Sequence, residues 1–476
     1  MLTQLIVLPR QGETGLQQAL AAQIKAAILS GRLATGVRLP ATRVLAGAIG
    51  VSRNTVLAAY NSLTSEGYLA ARGSAGTCVS AVLNEAGRRP AHARATHLAD
   101  ERLQPYWRAT KAQYDGMAEP RIDLRLGRPE QRAFPFDIWN RIAMRTVRKA
   151  GLRDDTYASS PQGHAPLREM LVQHVSRTRA VACTVDDIQV TAGAQQAFDL
   201  IARLLVAPGK TVVAVEDPGY SPIRDAFAAH GAQLVGVPVD ADGLMVERIP
   251  KDARIVCVTP SHQFPLGVVM SAARRTQLLQ WAASVGGTIV EDDYDSEFRF
   301  GERSLDALKT LDRGDAVFYV GTFSKSLFPA LRLGFVVPPA WARAAMARAK
   351  QLGDWQSPLH LQATLAAFMY EGHLRSHVRK MHRLYQARRE AVLSEAVAGA
   401  RLVPYASCAG LHVTLQLPSG TNDQEIAATL AAQGIAVEPV SKYRFAAPTH
   451  PAIALGFGLA DELAIRQAIT ALRKVV

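Results

Sequence analysis

The first eighty residues alternate short stretches of helical periodicity with turn-forming residues. Apolar side chains recur at helical spacing ahead of a glycine, at Leu16, Leu20, Ile24, Ala27 and Ile28. This spacing predicts one amphipathic helix. Two further helices are predicted over about Ala41–Ala48 and Arg53–Ser65, with Ser52 as the N-cap of the latter. Two short strands, Tyr68–Ala70 and Thr77–Val79, are predicted to follow them.

From residue 121 onward, apolar runs alternate with helical stretches. Seven runs are typical of buried strands, namely Ile188–Thr191, Thr211–Val215, Gln233–Pro238, Arg254–Val258, Thr288–Glu291, Ala316–Val320 and Leu333–Val337. Helices fit between most of them, which predicts a mainly parallel sheet covered on its faces. Long basic helices over about Leu359–Ala398 then precede three apolar runs, Leu411–Leu417, Ala436–Val440 and Ala452–Gly456. These runs predict a smaller α+β domain at the end of the chain.

The patterning divides the 476 residues into three parts. A helical and two-stranded domain covers 14–80, and an α/β domain covers 121–476, with its small part from about 346 to 476. Residues 81–120 lose their periodicity and predict a linker. The fold class is therefore multidomain α/β.

Composition narrows the function classes. With 48% hydrophobic and 20% charged residues, the chain has the composition of a globular protein rather than a disordered one. The net charge of +13 favours a polyanionic partner. The chain contains no run of eighteen apolar residues, so we predict no membrane span. The four cysteines lie far apart, so we predict no metal site, no disulfide scaffold, and free thiols in the cytoplasm.

The N-terminal domain has the pattern of a DNA-binding winged helix-turn-helix. The third helix begins with short polar side chains and an arginine, which is what a recognition helix needs to reach base edges and phosphates. Residues 1–80 hold seven basic and two acidic side chains, a net charge of 7 − 2 = +5. The predicted DNA contacts are Arg38, Arg43, Ser52, Arg53, Asn54, Thr55, Arg72, Gly76 and Thr77. The predicted core is Val44, Leu45, Ile49, Val51, Val56, Tyr60 and Leu63.

The alternative for this domain is a helical dimerisation module with solvated arginines. Against it, the strings L-P-A-T-R-V-L-A, V-S-R-N-T-V and Y-N-S-L-T-S-E-G-Y-L resemble the GntR class of DNA-binding domains. The resemblance spans nearly all of residues 14–80 and implies double-stranded promoter DNA as a partner.

Three motifs in the α/β domain fit the chemistry of pyridoxal phosphate. Lys325 follows a buried strand in G-T-F-S-K, where partial burial suits an amine that forms a Schiff base. Asp292 ends another strand, where it suits the pyridinium nitrogen, and Tyr294 lies two residues on. The strand-to-helix turn Gly193-Ala194-Gln195 offers backbone N–H groups to a phosphate. Taken singly, each motif also fits a surface lysine, an acidic loop or an ordinary turn.

Together the motifs resemble fold-type-I aminotransferases, with further matches in D-P-G-Y, T-P-S-H-Q-F-P-L-G and an arginine seven residues after Lys325. That resemblance covers about residues 121–476. It implies that Tyr220 stacks on the cofactor ring and that Arg332, Thr322 and Ser324 bind its phosphate. His262 or Gln263 would face the cofactor, and the choice between them stays open.

A GntR-like winged helix joined to an aminotransferase-like domain is the architecture of the MocR/GabR family, which the whole chain resembles. The resemblance implies a bacterial, cytoplasmic transcriptional regulator that holds pyridoxal phosphate on Lys325 and senses a small molecule. It also implies a homodimer with head-to-tail, domain-swapped packing.

One departure concerns the effector. Aminotransferases place an arginine near the last strand to clamp a carboxylate, but Pro451–Phe457 contains none. Arg444 lies upstream, as a substitute or as a surface arginine. The effector is therefore an amine, an amino acid or the cofactor itself. Two other functions compete with a sensor, namely a working aminotransferase with an appended DNA-binding module and a structural DNA binder with an inactive domain.

Overall fold

The computed structural model describes residues 6, 15–71, 76–80, 102–109, 119–150, 160–300, 306–398, 402–446 and 450–476. The chain divides into two compact units, Met1–Arg102 and Leu103–Val476. Among the residues described, no helix is long and apolar enough to cross a membrane.

The first unit is a winged helix. Its elements are α1 Leu16–Leu29, α2 Thr42–Ile49, α3 Arg53–Ser65, β1 Leu69–Ala71 and β2 Thr77–Val79. Ser52 is the N-cap of α3, as predicted, because its hydroxyl accepts the N–H of Thr55 at 3.0 Å. The two strands form an antiparallel ribbon, and Arg38 adds an isolated bridge to Cys78.

The core of this unit confirms most of the predicted positions. Leu45, Val56 and Leu63 are fully buried, and Tyr60 is buried with its hydroxyl donating to the carbonyl of Pro40 at 3.0 Å. The prediction for Val44 is wrong, since its side chain is 65% exposed. Leu45 and Ala46 are both buried, and at about 100° per residue Val44 points away from the middle of that buried face.

The second unit contains the remaining elements. Its helices are α4 Pro105–Ala109, α5 Phe136–Ala150, α6 Ala165–Arg179, α7 Gly193–Leu205, α8 Ser221–Ala229, α9 Ala272–Val285, α10 Leu308–Leu311, α11 Arg343–Asp354, α12 Leu359–Tyr370, α13 His373–Val397, α14 Asp423–Ala432 and α15 Glu462–Val475. Its strands are β3 Ile122–Asp123, β4 Gln189–Thr191, β5 Val212–Asp217, β6 Gln233–Asp240, β7 Gly243–Leu244, β8 Ala253–Val258, β9 Thr288–Asp293, β10 Val317–Thr322, β11 Gly334–Val337, β12 Val403–Pro404, β13 His412–Gln416, β14 Ile435–Ala436, β15 Glu438–Pro439 and β16 Ala452–Gly456.

Eight strands form the large sheet, in the order β4-β11-β10-β9-β8-β5-β6-β7. The central strands β10, β9, β8, β5 and β6 pair in parallel, while β11 and β7 run antiparallel to their neighbours. Strands β5, β9 and β10 are buried along their whole length, which explains their continuous apolar runs. The mainly parallel sheet predicted from the sequence is confirmed.

A four-stranded antiparallel sheet, the small sheet, follows in the order β12-β13-β16-β15. The last part of the chain and the predicted linker differ from the prediction in two details. The predicted strand Ala436–Val440 divides into β14 and β15, and β14 pairs in parallel with β3 from far upstream. The predicted long basic helices are α12 and α13, which meet at Gly372, a residue with a φ of 80°. Within the predicted linker, Pro105–Ala109 forms the short helix α4.

Candidate functional site

The predicted cofactor residues come from loops that leave one edge of the large sheet. Strands β5, β8, β9 and β10 are parallel, and β4 shares their direction because both β4 and β10 run antiparallel to β11. Their carboxyl ends therefore lie at the same edge, where open α/β sheets bind ligands. In register, Asp292 on β9 lies opposite Val320 on β10, a few residues before Lys325.

Lys325 follows β10 and points into the interior. Its ammonium donates to the carbonyl of Gly127 at 2.8 Å. A Cβ atom at Gly127 would lie 2.6 Å from Lys325 Nζ, so a larger residue there would push the amine out of this position. Burial lowers the pKa of Lys325 below the usual range of a lysine, and the charges of Asp295 and Asp292 oppose that shift. A lower pKa makes the amine a better nucleophile.

Asp292 is a buried carboxylate at the end of β9, 3% exposed. Among the described residues its Oδ1 atom has no hydrogen-bond partner. Burial raises the pKa of Asp292 well above its ordinary value, and the neighbouring Asp293 adds to the shift. Burying such a group without a partner costs free energy. This indicates that a cationic group or an N–H donor binds beside it.

Tyr294, His262 and Asp295 form a hydrogen-bonded chain beside Asp292. The Nδ1 atom of His262 lies 2.9 Å from the phenol oxygen of Tyr294 and 3.1 Å from a carboxylate oxygen of Asp295. Because a carboxylate only accepts, the Nδ1–H donates to Asp295 and is shared with the phenol oxygen. The phenol hydrogen of Tyr294 is then left for the pocket. Burial, with the charges of Asp295 and Asp292, raises the pKa of Tyr294 well above its ordinary value.

His262 and Gln263, the two candidates in the loop after β8, have different hydrogen-bond partners. The Gln263 side chain donates to the carbonyls of Pro218 at 2.9 Å and Phe264 at 2.7 Å, and accepts the N–H of Leu266. Its amide ties two loops together. The ring of His262 contacts Tyr294 instead, so of this pair His262 is the residue that the structure brings to the other predicted site residues.

The turn from β4 into α7 brings Gly193 against Arg332. Gly193 has a φ of 77°, and a Cβ atom there would lie 2.9 Å from Arg332 Nη2. Helix α7 starts without a side-chain N-cap, which leaves its first N–H groups to an anion. Arg332 itself adopts the left-handed region, with a φ of 48°. Such strain in a non-glycine residue concentrates at functional sites.

The other predicted cofactor residues lie around this turn. Tyr220 caps α8 and packs edge-on against Phe264, with the ring centroids 5.2 Å apart. Burial raises the pKa of Tyr220 to about 12. The hydroxyl of Thr322 donates to that of Ser324 at 3.0 Å. Ala194 is half-buried, and Gln195 is exposed with its amide donating to the carbonyl of Pro222.

These groups fit pyridoxal phosphate. The unpartnered Oδ1 atom of Asp292 suits a pyridinium N–H, and the buried amine of Lys325 suits the aldehyde. The guanidinium of Arg332 beside the uncapped start of α7 suits the phosphate. When bound, the cofactor supplies an aldehyde that condenses with amines and a ring that withdraws electrons.

In the first unit, the predicted DNA contacts gather on α3 and the wing. Ser52, Arg53 and Asn54 are exposed at the start of α3, and Arg43 is exposed on α2. Thr55 and Thr77 are half-buried. Arg38 lies against Gly76, because a Cβ atom at that glycine would be 3.1 Å from Arg38 Nε. Arg72 lies outside the described residues.

Sequence patterns missed several site residues. Gly127, which holds Lys325, is one glycine in a loop, and Asp295 follows Tyr294 without a signal of its own. Behind Asp293, the buried Arg179 pairs with the carboxylate at 2.7 Å and donates to Ser261. These partners come from distant parts of the chain, so the sequence offers no spacing that would have identified them.

Comparison with known proteins agrees with both units. The family described as "Bacterial regulatory proteins, gntR family" matches residues 16–79, and "Aminotransferase class I and II" matches residues 137–454. The chain is 34% identical to the probable rhizopine catabolism regulatory protein MocR of Rhizobium meliloti, over 98% of this chain and 95% of that one. It is 32% identical to the HTH-type transcriptional regulator TauR of Rhodobacter capsulatus, over 90% and 89%.

Among solved structures, the kynurenine aminotransferase of Pyrococcus horikoshii superposes with a TM-score of 0.69 at 28% identity. The match covers 75% of this chain and 90% of that one. Fold and site together define a DNA-binding transcriptional regulator with a fold-type-I aminotransferase domain and pyridoxal phosphate as its cofactor. Within that class, the chain belongs to the MocR family.

Proposed function

We propose that this regulator senses a small amine, an amino acid or the B6 cofactor itself at Lys325, and that occupation of this site changes its binding to promoter DNA in the bacterial cytoplasm. The observation that carries the proposal is the buried pair Lys325 and Asp292, at one sheet edge of a chain that also has a DNA-binding winged helix. A purely structural DNA binder has no use for an unpartnered buried carboxylate, since such a group destabilises the fold.

The individual roles follow from the geometry. Lys325 would hold the cofactor, Asp292 would face its ring nitrogen, and Tyr294 would present its hydroxyl to the pocket, positioned by His262. Arg332 and the start of α7 would bind the phosphate, with Thr322 and Ser324 beside them. Tyr220 would lie on the ring face. Arg53 and its neighbours on α3 would contact the bases and Arg38 the phosphates.

Hydrogen bonds join the region around Tyr220 to the segment before β16. They supply a route by which effector binding would change the arrangement of the protein. The carboxylate of Asp217, at the end of β5 and shortly before Tyr220, accepts the N–H groups of Phe445 at 2.8 Å and Ala446 at 2.9 Å. Arg224 donates to the carbonyl of Arg444 at 3.2 Å. An effector that binds beside this segment would favour one arrangement of the small sheet over another. Its influence on DNA binding is bounded by its difference in affinity for the two arrangements.

The last strand narrows the chemistry of the effector. All five residues of β16 are buried, and four of them are apolar with the fifth a glycine. No guanidinium on this strand clamps a carboxylate. We therefore expect the site to recognise the amine of the effector. Arg444, in the segment that contacts Asp217 and Arg224, is the candidate for binding any carboxylate of the effector.

We also propose a homodimer. Helices α5 and α12 pack on each other and leave large apolar side chains exposed, including Met144 at 55% and Tyr370 at 81%. A second copy of the chain is an occupant that would bury them. The head-to-tail exchange of domains rests on the family resemblance.

The test replaces Lys325 by Ala in the full chain, with Lys251→Ala at an exposed position as the matched control. Visible absorbance is titrated with a panel of amines and amino acids, and promoter binding is measured with each. We expect Lys325→Ala to bind promoter DNA but to lose both the spectral shift and the effector response, while the control keeps all three. Effector-responsive binding by Lys325→Ala would refute the sensor and favour a structural DNA binder.

The same titration tests the alternative of a working aminotransferase. A sensor gives a shifted band that persists without release of a keto acid. If the band instead converts to that of the amine form of the cofactor and recovers with a keto acid, the chain is an enzyme that also binds DNA.

A further inference from the structure

Lys350 on α11 is a buried cation outside the residues assigned to the site. Its side chain is 1% exposed, and its ammonium donates to three oxygens. These are Gln196 Oε1 at 2.8 Å, Asp354 Oδ2 at 2.7 Å and Ser357 Oγ at 2.9 Å. An apolar side chain of this volume would pack here without the cost of burying a charge. The position therefore calls for an account beyond packing.

Lys350 and Asp354 together hold the side-chain amide of Gln196 in one orientation. Lys350 donates to the oxygen of that amide, and the amide nitrogen donates to Asp354 Oδ2 at 2.8 Å. With a cation at one end and a carboxylate at the other, a flipped amide would meet two mismatched partners. Oε1 is thus fixed toward the backbone N–H of Ala192, which donates to it at 2.8 Å.

Ala192 is the residue just before the turn Gly193-Ala194-Gln195, which is predicted to bind the phosphate. Its N–H is held by Gln196, and its carbonyl accepts from Arg332 Nη2 at 3.1 Å. The position and tilt of the Ala192 backbone set where the next N–H groups point, those of Gly193 and Ala194. Both ends of this residue's backbone are therefore fixed by side chains, one of which depends on Lys350.

We propose that Lys350 is a positioning residue for the phosphate of the cofactor, acting through Gln196 and Ala192. It does not touch the phosphate. It keeps the start of α7 in the geometry that binds a dianion.

The test compares two ligands that differ only in the phosphate. Cofactor-free full-length protein is titrated with pyridoxal phosphate and with pyridoxal, and the ratio of the two dissociation constants is measured by visible absorbance. We expect Lys350→Met to weaken the binding of pyridoxal phosphate by about tenfold, which is the effect of losing one hydrogen bond to a charged group. The affinity for pyridoxal should stay unchanged. Gln196→Leu should give the same change of ratio.

The matched control is Arg388→Met. Arg388 is also buried and ion-paired, with Glu130 at 2.9 Å, but it joins α13 to other parts of the chain. This variant should lower the unfolding temperature and keep the ratio of the wild-type protein. If Lys350→Met does not fold, Gln196→Leu carries the test alone. A folded variant of either residue that discriminates between the two ligands as well as wild type overturns the proposal.

Discussion

Asp292 shows how a single residue serves function at the expense of stability. The carboxylate is buried, and within the described part of the chain its Oδ1 atom has no donor. Its raised pKa means that the cofactor-free folded state binds this proton more tightly than the unfolded chain does. Its contribution to stability therefore falls as the pH rises above the ordinary pKa of a carboxyl group, about 3.9. A cationic ring nitrogen would reverse this penalty.

We expect Asp292→Asn to move stability and cofactor affinity in opposite directions. At neutral pH the cofactor-free variant should gain about 1–3 kcal/mol, because a neutral amide replaces a carboxyl group whose charged form is costly to bury. Its affinity for pyridoxal phosphate should fall by about tenfold or more, because an ionic hydrogen bond is lost. Thermal unfolding and absorbance titration measure the two effects. A cofactor-free variant less stable than wild type at neutral pH would contradict the role given to Asp292.

At the scale of elements, the N-cap of α3 determines which of its side chains are exposed at the start of the helix. Ser52 accepts the N–H of Thr55, so the helix starts at Arg53 and exposes it on the first turn. The wing is tied to the segment before α2, because Leu39 donates to the carbonyl of Thr77 at 2.9 Å. This contact places Arg38 beside Gly76. The domain thus offers two separated basic contacts.

We expect Arg53→Ala to weaken binding to the specific operator by about 1–3 kcal/mol and to relax its sequence preference. Arg32→Ala, at an exposed position after α1, is the control and should change both little. Binding is measured on operator and random DNA at several salt concentrations. Equal losses on both DNAs would demote Arg53 to a phosphate contact.

At the scale of the whole molecule, the two units have separate cores. The buried cluster around Leu20 and Leu63 includes only residues of the first unit, and the other buried clusters of the described residues lie in the second. The residues proposed to bind the cofactor all belong to the second unit. A ligand stabilises only the folding unit that binds it.

Calorimetry of the full chain should therefore show two unfolding transitions. Saturating pyridoxal phosphate, at about 100 times its dissociation constant, should stabilise the larger transition by about 2.7 kcal/mol and leave the smaller one in place. The Lys325→Ala variant should show both transitions with a reduced shift. A single transition that moves as a whole with the cofactor would show that the units unfold together.

Most of the elements, and the chemical groups at their ends, could be predicted from local patterns in the sequence. Strands buried on both faces are mostly apolar, so β5, β9 and β10 were visible as apolar runs, with acidic residues only at the carboxyl ends of β5 and β9. Lys325 and Asp292 follow such runs directly, and parallel strands bring their ends together. Their assignment to the cofactor needed only this local order and a family resemblance.

Which distant groups meet is visible only in the folded chain. The pairing of β3 with β14 and the lock of Lys350 on Gln196 join residues with no spacing in the sequence. The different partners of His262 and Gln263 likewise depend on the direction of each side chain within one loop. Local patterns report which face of an element is buried, whereas the partner across that face is set by the packing of the whole chain.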